Sequence, residues 1–202
     1  MKVKPFGERI VVEFVNELYE GKIIIPERAG QVNRLGRVLF VGDGVVFNGP
    51  NRSVVPMHVA VGDVCMFQME ASQELNTRYV VDDKPVFFLH QHDMILKVTG
   101  KKLKLELGTV EVIGTWVLVK AFSGIETTLI VPETAKGDTD VQRYRVVQVG
   151  SGVKQAIIPG DEVSLVRSRC NPIYFGQELY GFVDSSFVYG SISAAQLPSL
   201  SQ

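Results

Sequence analysis

The second hundred residues of this chain replay the first. Gly114-Thr115-Trp116-Val117-Leu118-Val119-Lys120 follows Gly7-Glu8-Arg9-Ile10-Val11-Val12-Glu13 at an offset of 107 (114 − 7). The apolar triplet Leu129-Ile130-Val131, ahead of Pro132-Glu133, follows Ile23-Ile24-Ile25, ahead of Pro26-Glu27, at 106 (129 − 23). Tyr144 to Gly152 follows Leu35 to Gly44 at 108 (150 − 42), and Pro159-Gly160-Asp161-Glu162-Val163 follows Val61-Gly62-Asp63-Val64 at 98 (160 − 62). The drop of about ten residues (108 − 98) falls between Gly152 and Gly160, where the first copy carries Asn48-Gly49-Pro50-Asn51. A period of that length is one small domain, so the 202 residues read as a duplicated domain. The expected division is a first domain over 1–99, a second over 108–192 and a tail over 193–202.

Within the first copy the pattern is short strands between strong turn signals. Glu8 to Phe14 is rich in β-branched residues, and Leu35 to Val41 runs into Gly42-Asp43-Gly44. Asn48-Gly49-Pro50-Asn51 joins Val45-Val46-Phe47 to Val54-Val55 as a small hairpin. Val61-Gly62-Asp63 leads into Val64 to Phe67, Tyr79 to Val81 pairs in a hairpin with Val86 to Leu89, and His92 to Val98 closes the copy. No helical period is present. The fold class is all-β, a barrel or sandwich in each copy.

The triplet Ile23-Ile24-Ile25 fits poorly into that scheme. It lacks alternation, Gly21 loosens the chain before it, and Pro26 removes a backbone donor after it. Glu20, Lys22, Glu27 and Arg28 crowd it too closely for a core segment. Two readings stand: an exposed loop presenting an apolar plug to a groove on another molecule, or the edge strand of a core. On the first, residues 16–34 and 122–142 are poorly ordered without a partner.

Composition excludes several functions. Lys and Arg number 21 against 22 Asp and Glu, a net charge of −1, and the one basic cluster, Lys101, Lys102 and Lys104, reads as a solvated connector. Nucleic-acid binding is therefore not expected. No run of about twenty apolar residues spans a membrane. Cys65 and Cys170 stand apart as small buried thiols, and His90 and His92 lack a third ligand, so neither a metal nor another cofactor is expected. There is no glycine-rich dinucleotide fingerprint and no nucleophile elbow, and the chain is read as not an enzyme.

In both halves the order of these motifs resembles the co-chaperonins of the GroES type. The resemblance rests on Gly7 to Val12, the triplet before Pro26, Gly36 to Gly44, Val61 to Val64, and Phe88 to Leu96. It implies two tandem GroES-like β-barrels, similar to the double-domain co-chaperonins of plastids. It implies a lid for a type I chaperonin ring, assisting ATP-dependent folding of an unfolded substrate protein in the capped cavity. The chaperonin-binding residues would be Ile23, Ile24 and Ile25, with Leu129, Ile130 and Val131 in the second copy. The hairpin around Asn48 to Asn51 takes the place of the family's roof. A ring-like homo-oligomer is implied, with Lys2 to Phe6 and Met94 to Val98 near one interface. No signal or transit peptide precedes the first strand, which points to the cytoplasm (a host's, if viral) or to a plastid stroma after processing. The second triplet departs from the family in following Thr127-Thr128 where two glycines are usual. The alternative is a structural or assembly protein that reuses the duplicated fold without binding a chaperonin.

Overall fold

A computed structural model describes residues 3–15, 31–48, 51–70, 78–82, 84–99, 106–121 and 141–192. Among them the regular structure is strand and short 3-10 turn, and the chain divides into two compact units, Met1–Gly114 and Thr115–Gln202. No helix of the described residues is long and apolar enough to cross a membrane.

The first unit contains β1 (Arg9–Phe14), β2 (Gln31–Val41), β3 (Val45–Asn48), β4 (Asn51–Val54), β5 (Val64–Glu70), β6 (Arg78–Val81), β7 (Lys84–His90), β8 (Met94–Val98) and β9 (Val110–Val112). One antiparallel sheet runs β6-β7-β1-β2-β5-β8-β9, and β3 and β4 form a separate hairpin. The second unit contains β10 (Trp116–Ala121), β11 (Val141–Val149), β12 (Glu162–Val166), β13 (Asn171–Phe175), β14 (Glu178–Asp184) and β15 (Val188–Ile192), in the order β13-β14-β10-β11-β12-β15. Strand for strand this is the first sheet without β9. The tandem β-architecture expected from the repeat is the one observed.

The duplication extends to irregularities that hydrophobic patterning does not dictate. The β1–β2 register slips between Val11 and Val12, and the β10–β11 register slips between Leu118 and Val119. A second slip between Met66 and Phe67 recurs between Ser164 and Leu165. Gly62 and Gly160 hold φ of 94° and 96°, in the left-handed range that a side chain strains, and each donates to the strand it turns against: Gly62 to Val38 O at 2.8 Å, Gly160 to Val146 O at 2.9 Å. The 3-10 turn Gln91–Asp93 before β8 has its counterpart in Ser185–Phe187 before β15. Each sheet closes on its own core: Ile10, Val12, Val38, Cys65 and Phe67 in the first, Val117, Val119, Val146, Val163 and Leu165 in the second.

Three boundaries differ from the sequence reading. β2 begins at Gln31, paired with Glu70, and β11 at Val141, paired with Val166, so the connections expected over 16–34 and 122–142 give up their last residues to strands. Extension of an existing ladder overrides the weak local signal of residues such as Asn33 and Gln142. β9, read as part of a second domain from 108, adds to β8 in the first sheet, and Ile113 beside it joins the first core. With β5 on one side and β9 on the other, Met94 to Val98 has no open edge, contrary to its expected place at an interface between chains.

Candidate functional site

In both units the apolar triplet falls in the same connection, from the first strand of the repeat to the second. Ile23, Ile24 and Ile25 lie between β1 and β2, and Leu129, Ile130 and Val131 between β10 and β11, all outside the described residues. What the structure describes is the frame from which each connection departs.

In the first unit that frame is aromatic. Phe14, the last residue of β1, stacks on Phe87 with centroids 3.9 Å apart and on Phe67 at 5.8 Å. Val15 N donates to Leu35 O at 3.0 Å, extending the ladder by one residue. Gly36 pairs with Phe14 across the ladder, and a Cβ there would lie 2.8 Å from a ring carbon of Phe67. The glycine lets that ring pack over the strand pair.

In the second unit the frame is polar. Ala121 stands in the place of Phe14, and the neighbouring Lys120 Nζ lies 2.8 Å from Glu178 Oε1. Tyr180 donates its hydroxyl to Glu178 Oε2 at 2.6 Å, and Lys120 sits 5.3 Å from the Tyr180 ring centroid. The hydrogen bond from Lys120, then that from Tyr180, holds the Glu178 carboxyl below its usual range, and the same bonds raise Lys120 and Tyr180. Exposed ion pairs of this kind contribute little stability. Stacked rings exclude more water, so the first connection has the firmer base.

The β3–β4 hairpin is braced at its root. Asp43 accepts from Gly7 N at 3.0 Å and Val45 N at 3.1 Å, and the Val45 bond followed by the Gly7 bond lowers its carboxyl pKa. Gly44, at φ 68°, donates to Gly7 O and accepts from Val55 N. Behind the hairpin, buried Gln91 donates to Glu8 Oε1 at 2.9 Å and Pro56 O at 3.3 Å and accepts from His58 N at 3.2 Å. Sequence reasoning took Gly42-Asp43-Gly44 only as a turn and passed over Gln91. An Asp between two glycines signalled the first brace, and nothing local signals the second. β4 is exposed along its whole length, with Val54 67% accessible. The second unit crosses the same gap by turns alone over 151–160.

His90 and His92 stack at 5.1 Å, and His92 Nε2 lies 3.3 Å from Asp93 Oδ1. No group of three His, Cys, Asp or Glu among the described residues is placed to hold a metal ion. Both cysteines are buried and neither forms a disulfide, and burial pushes the Cys65 thiol up to about 12, so it stays protonated and unreactive.

A family model described as the chaperonin 10 kDa subunit matches residues 2–98, ending with β8. The co-chaperonin GroES of Hydrogenovibrio crunogenus is 38% identical over 99 residues, which are 47% of this chain and 96% of that protein. The co-chaperonin GroES of Pediococcus pentosaceus is 30% identical over 98 residues, 48% of this chain and 98% of that protein. That of Thermus thermophilus is 30% identical over 95 residues, 46% and 88% of the two chains.

Proposed function

This chain belongs to the family of chaperonin 10 kDa subunits, and from that premise we propose that it works as a co-chaperonin, capping a type I chaperonin ring in the cytoplasm while an unfolded protein folds inside. The observation that carries the reading is the coincidence of the family match over 2–98 with Ile23-Ile24-Ile25 in the β1–β2 connection. Ile23, Ile24 and Ile25 are the docking residues of the first connection, and Leu129, Ile130 and Val131 those of the second. The braced β3–β4 hairpin forms the roof.

Magnitudes explain why such a contact is reversible. Burying three isoleucine side chains in an apolar groove is worth about 5–9 kcal/mol. Fixing about ten residues of connection costs on the order of 10–20 kcal/mol. Pro26 and Pro132 restrict the backbone beside each triplet and reduce that cost. One connection alone binds weakly. Several on one homo-oligomer bind together, because each contact after the first is intramolecular. A lid built this way holds during folding and leaves when the ring changes shape.

The test is association with a purified type I chaperonin, with and without ATP, read by co-sedimentation and by inhibition of the chaperonin ATPase. Nucleotide-dependent association with partial inhibition is expected. The absence of both would overturn the assignment and leave a structural or assembly role for the duplicated fold.

A further inference from the structure

The two sheets end differently at the edge formed by β6 in the first unit and β13 in the second. These strands are counterparts at an offset of 94 (175 − 81), and among the described residues each is paired on one side only, to β7 and to β14. In β13, Ile173 is fully buried and Tyr174 half-buried. At the same places in β6, Tyr79 is 54% and Val80 66% exposed.

The hydrogen-bonding groups of the two edges differ as well. Val81 and Lys84 flank a two-residue turn and form a bonded pair, so the alternation of the ladder bonds Tyr79 to Val86 and leaves Val80 unbonded opposite Pro85. Pro85 has no donor to lose there. The N–H and C=O groups of Val80 and Arg78 therefore point away from β7, toward the open edge. The same count in β13 turns Tyr174 and Pro172 outward, so the place of Arg78 is taken by a residue without a donor. Proline blunts the edge of β13, whereas β6 has neither a proline nor a bulge. We propose that the β6 edge docks a second copy of this chain, the two β6 strands pairing antiparallel about a two-fold axis at Val80.

Charge selects that register. A bonded pair on the axis requires outward-facing groups, which places the axis at Arg78, Val80 or Asp82. An axis at Arg78 sets two arginines opposite each other, and one at Asp82 sets two aspartates opposite each other; both are disfavoured. With the axis at Val80, Arg78 of each copy falls opposite Asp82 of the other, two favourable pairs at once, and Tyr79 falls opposite Val81. Axes at Tyr79 or Val81 separate the arginine from the aspartate.

The apolar surface agrees. The two exposed Val80 side chains cover each other on one face of the joined sheet. On the other face the Tyr79 ring already stands edge-on to Phe88, with centroids 4.9 Å apart and planes at 68°. A ring held in this way needs little further ordering to receive Val81 of the other copy. The contact is isologous, so it closes in pairs and does not propagate. Strands of four residues bury little area, and a single pair is weak. Several β6 edges carried on one assembly bind a second assembly together. The contact rests on no part of the capping reading.

The test uses the full chain without any chaperonin. The Val80→Cys chain, oxidised with diamide, is expected to give a disulfide-linked dimer, since bonded antiparallel pairs bring Cα atoms about 5.5 Å apart. The wild-type chain, whose two cysteines are buried, gives none. A mixture of Tyr79→Cys and Val81→Cys chains is expected to give a linked dimer that neither gives alone. No dimer from Val80→Cys overturns the contact, and a dimer from Tyr79→Cys alone overturns the register. In sedimentation equilibrium, Val80→Pro, which deletes only the outward donor, and Val80→Lys, which sets two cations on the axis, each weaken pairing about tenfold or more. Val80 is exposed, and unchanged thermal unfolding shows that each variant folds. Arg78→Glu weakens pairing in the same way, and adding Asp82→Asn, which suits the left-handed turn at φ 50°, recovers part of it. Pairing unaffected by both Val80 variants overturns the contact, and pairing unaffected by Arg78→Glu overturns the role of charge in setting the register.

Discussion

Phe14 lies face to face with Phe87, the ring planes within 7° of parallel, at the last residue of β1 before the chain leaves for the first triplet. The pair couples the root of the proposed docking segment to the first core. Phe14→Ala is expected to cost the first unit about 2–4 kcal/mol, through lost transfer energy and the space left between Phe67 and Phe87. Phe14→Leu, which refills most of that space, should cost less than half as much. Chemical denaturation followed by tyrosine and tryptophan fluorescence measures both, and equal losses would mean that refilling the space recovers nothing and that the stacked ring itself carries the stability.

Gly36 faces the same cluster from the opposite strand. Its substitution by alanine places a methyl 2.8 Å from the Phe67 ring and 3.2 Å from Glu13 O, and Phe67 is fully buried with nowhere to retreat. Overpacking of this kind costs about 1–3 kcal/mol. A Gly36→Ala protein as stable as the wild type would show that the ring turns aside freely.

Asp43 gives the roof hairpin a pH dependence with a definite sign. Its carboxyl pKa is lowered from 3.8 by the bonds from Val45 N and Gly7 N, so the unfolded chain takes up the proton first as pH falls. The stabilisation is fully present above the unfolded value of 3.8 and is lost as pH falls through the folded one. Amide exchange at Gly7 and Val45 should accelerate, beyond the intrinsic pH trend, only in acid below that value. Asp43→Asn should remove the pH step, leaving both amides less protected at neutral pH. A pH-independent protection ratio between the two proteins would contradict this account.

The two triplets should not be equivalent. Ile24→Asp places a carboxylate in an apolar groove without a partner and is expected to abolish inhibition of the chaperonin ATPase. Ile130→Asp should do less, because Thr127 and Thr128 stiffen the backbone just ahead of the second triplet and the strand before it ends on Ala121, without the aromatic stack of Phe14. Titrating each single variant and the double at equal ring concentration separates the possibilities. Equal losses from the two singles would mean the threonines are immaterial.

Strand positions were legible because β-branched runs and turn residues report them locally. Val45 to Asn48 against Asn51 to Val54 was readable from Asn-Gly-Pro-Asn alone, and the positions of β10, β11 and the start of β12 followed from the offsets. The β13–β14 hairpin was missed, although Gly176, at φ 64°, holds the turn position that Asp82, at φ 50°, holds in the first unit. The signal was a single Gly-Gln step between apolar runs. The start of β2 at Gln31 and the placement of β9 were not legible, since ladder extension depends on the neighbouring strand. The site was legible as a pattern in Ile23 to Ile25, whereas its frame was not. Phe14, Phe67 and Phe87 come from three separate strands, and only folding brings them together.

The seam of the duplication therefore does not coincide with a place where the chain can be cut. A fragment ending at Val98, where the matched family region ends, would strip β9 from β8 and uncover a ladder whose Met94, Ile95 and Leu96 are fully buried. Such a bare apolar edge invites pairing with any other strand. A fragment ending at Gly114 keeps the edge covered but carries off the opening strand of the second copy. A cut after Gly114, some six residues past the seam of the repeat, is therefore the one that leaves the two sheets whole among the described residues, with Val110–Val112 kept by the first.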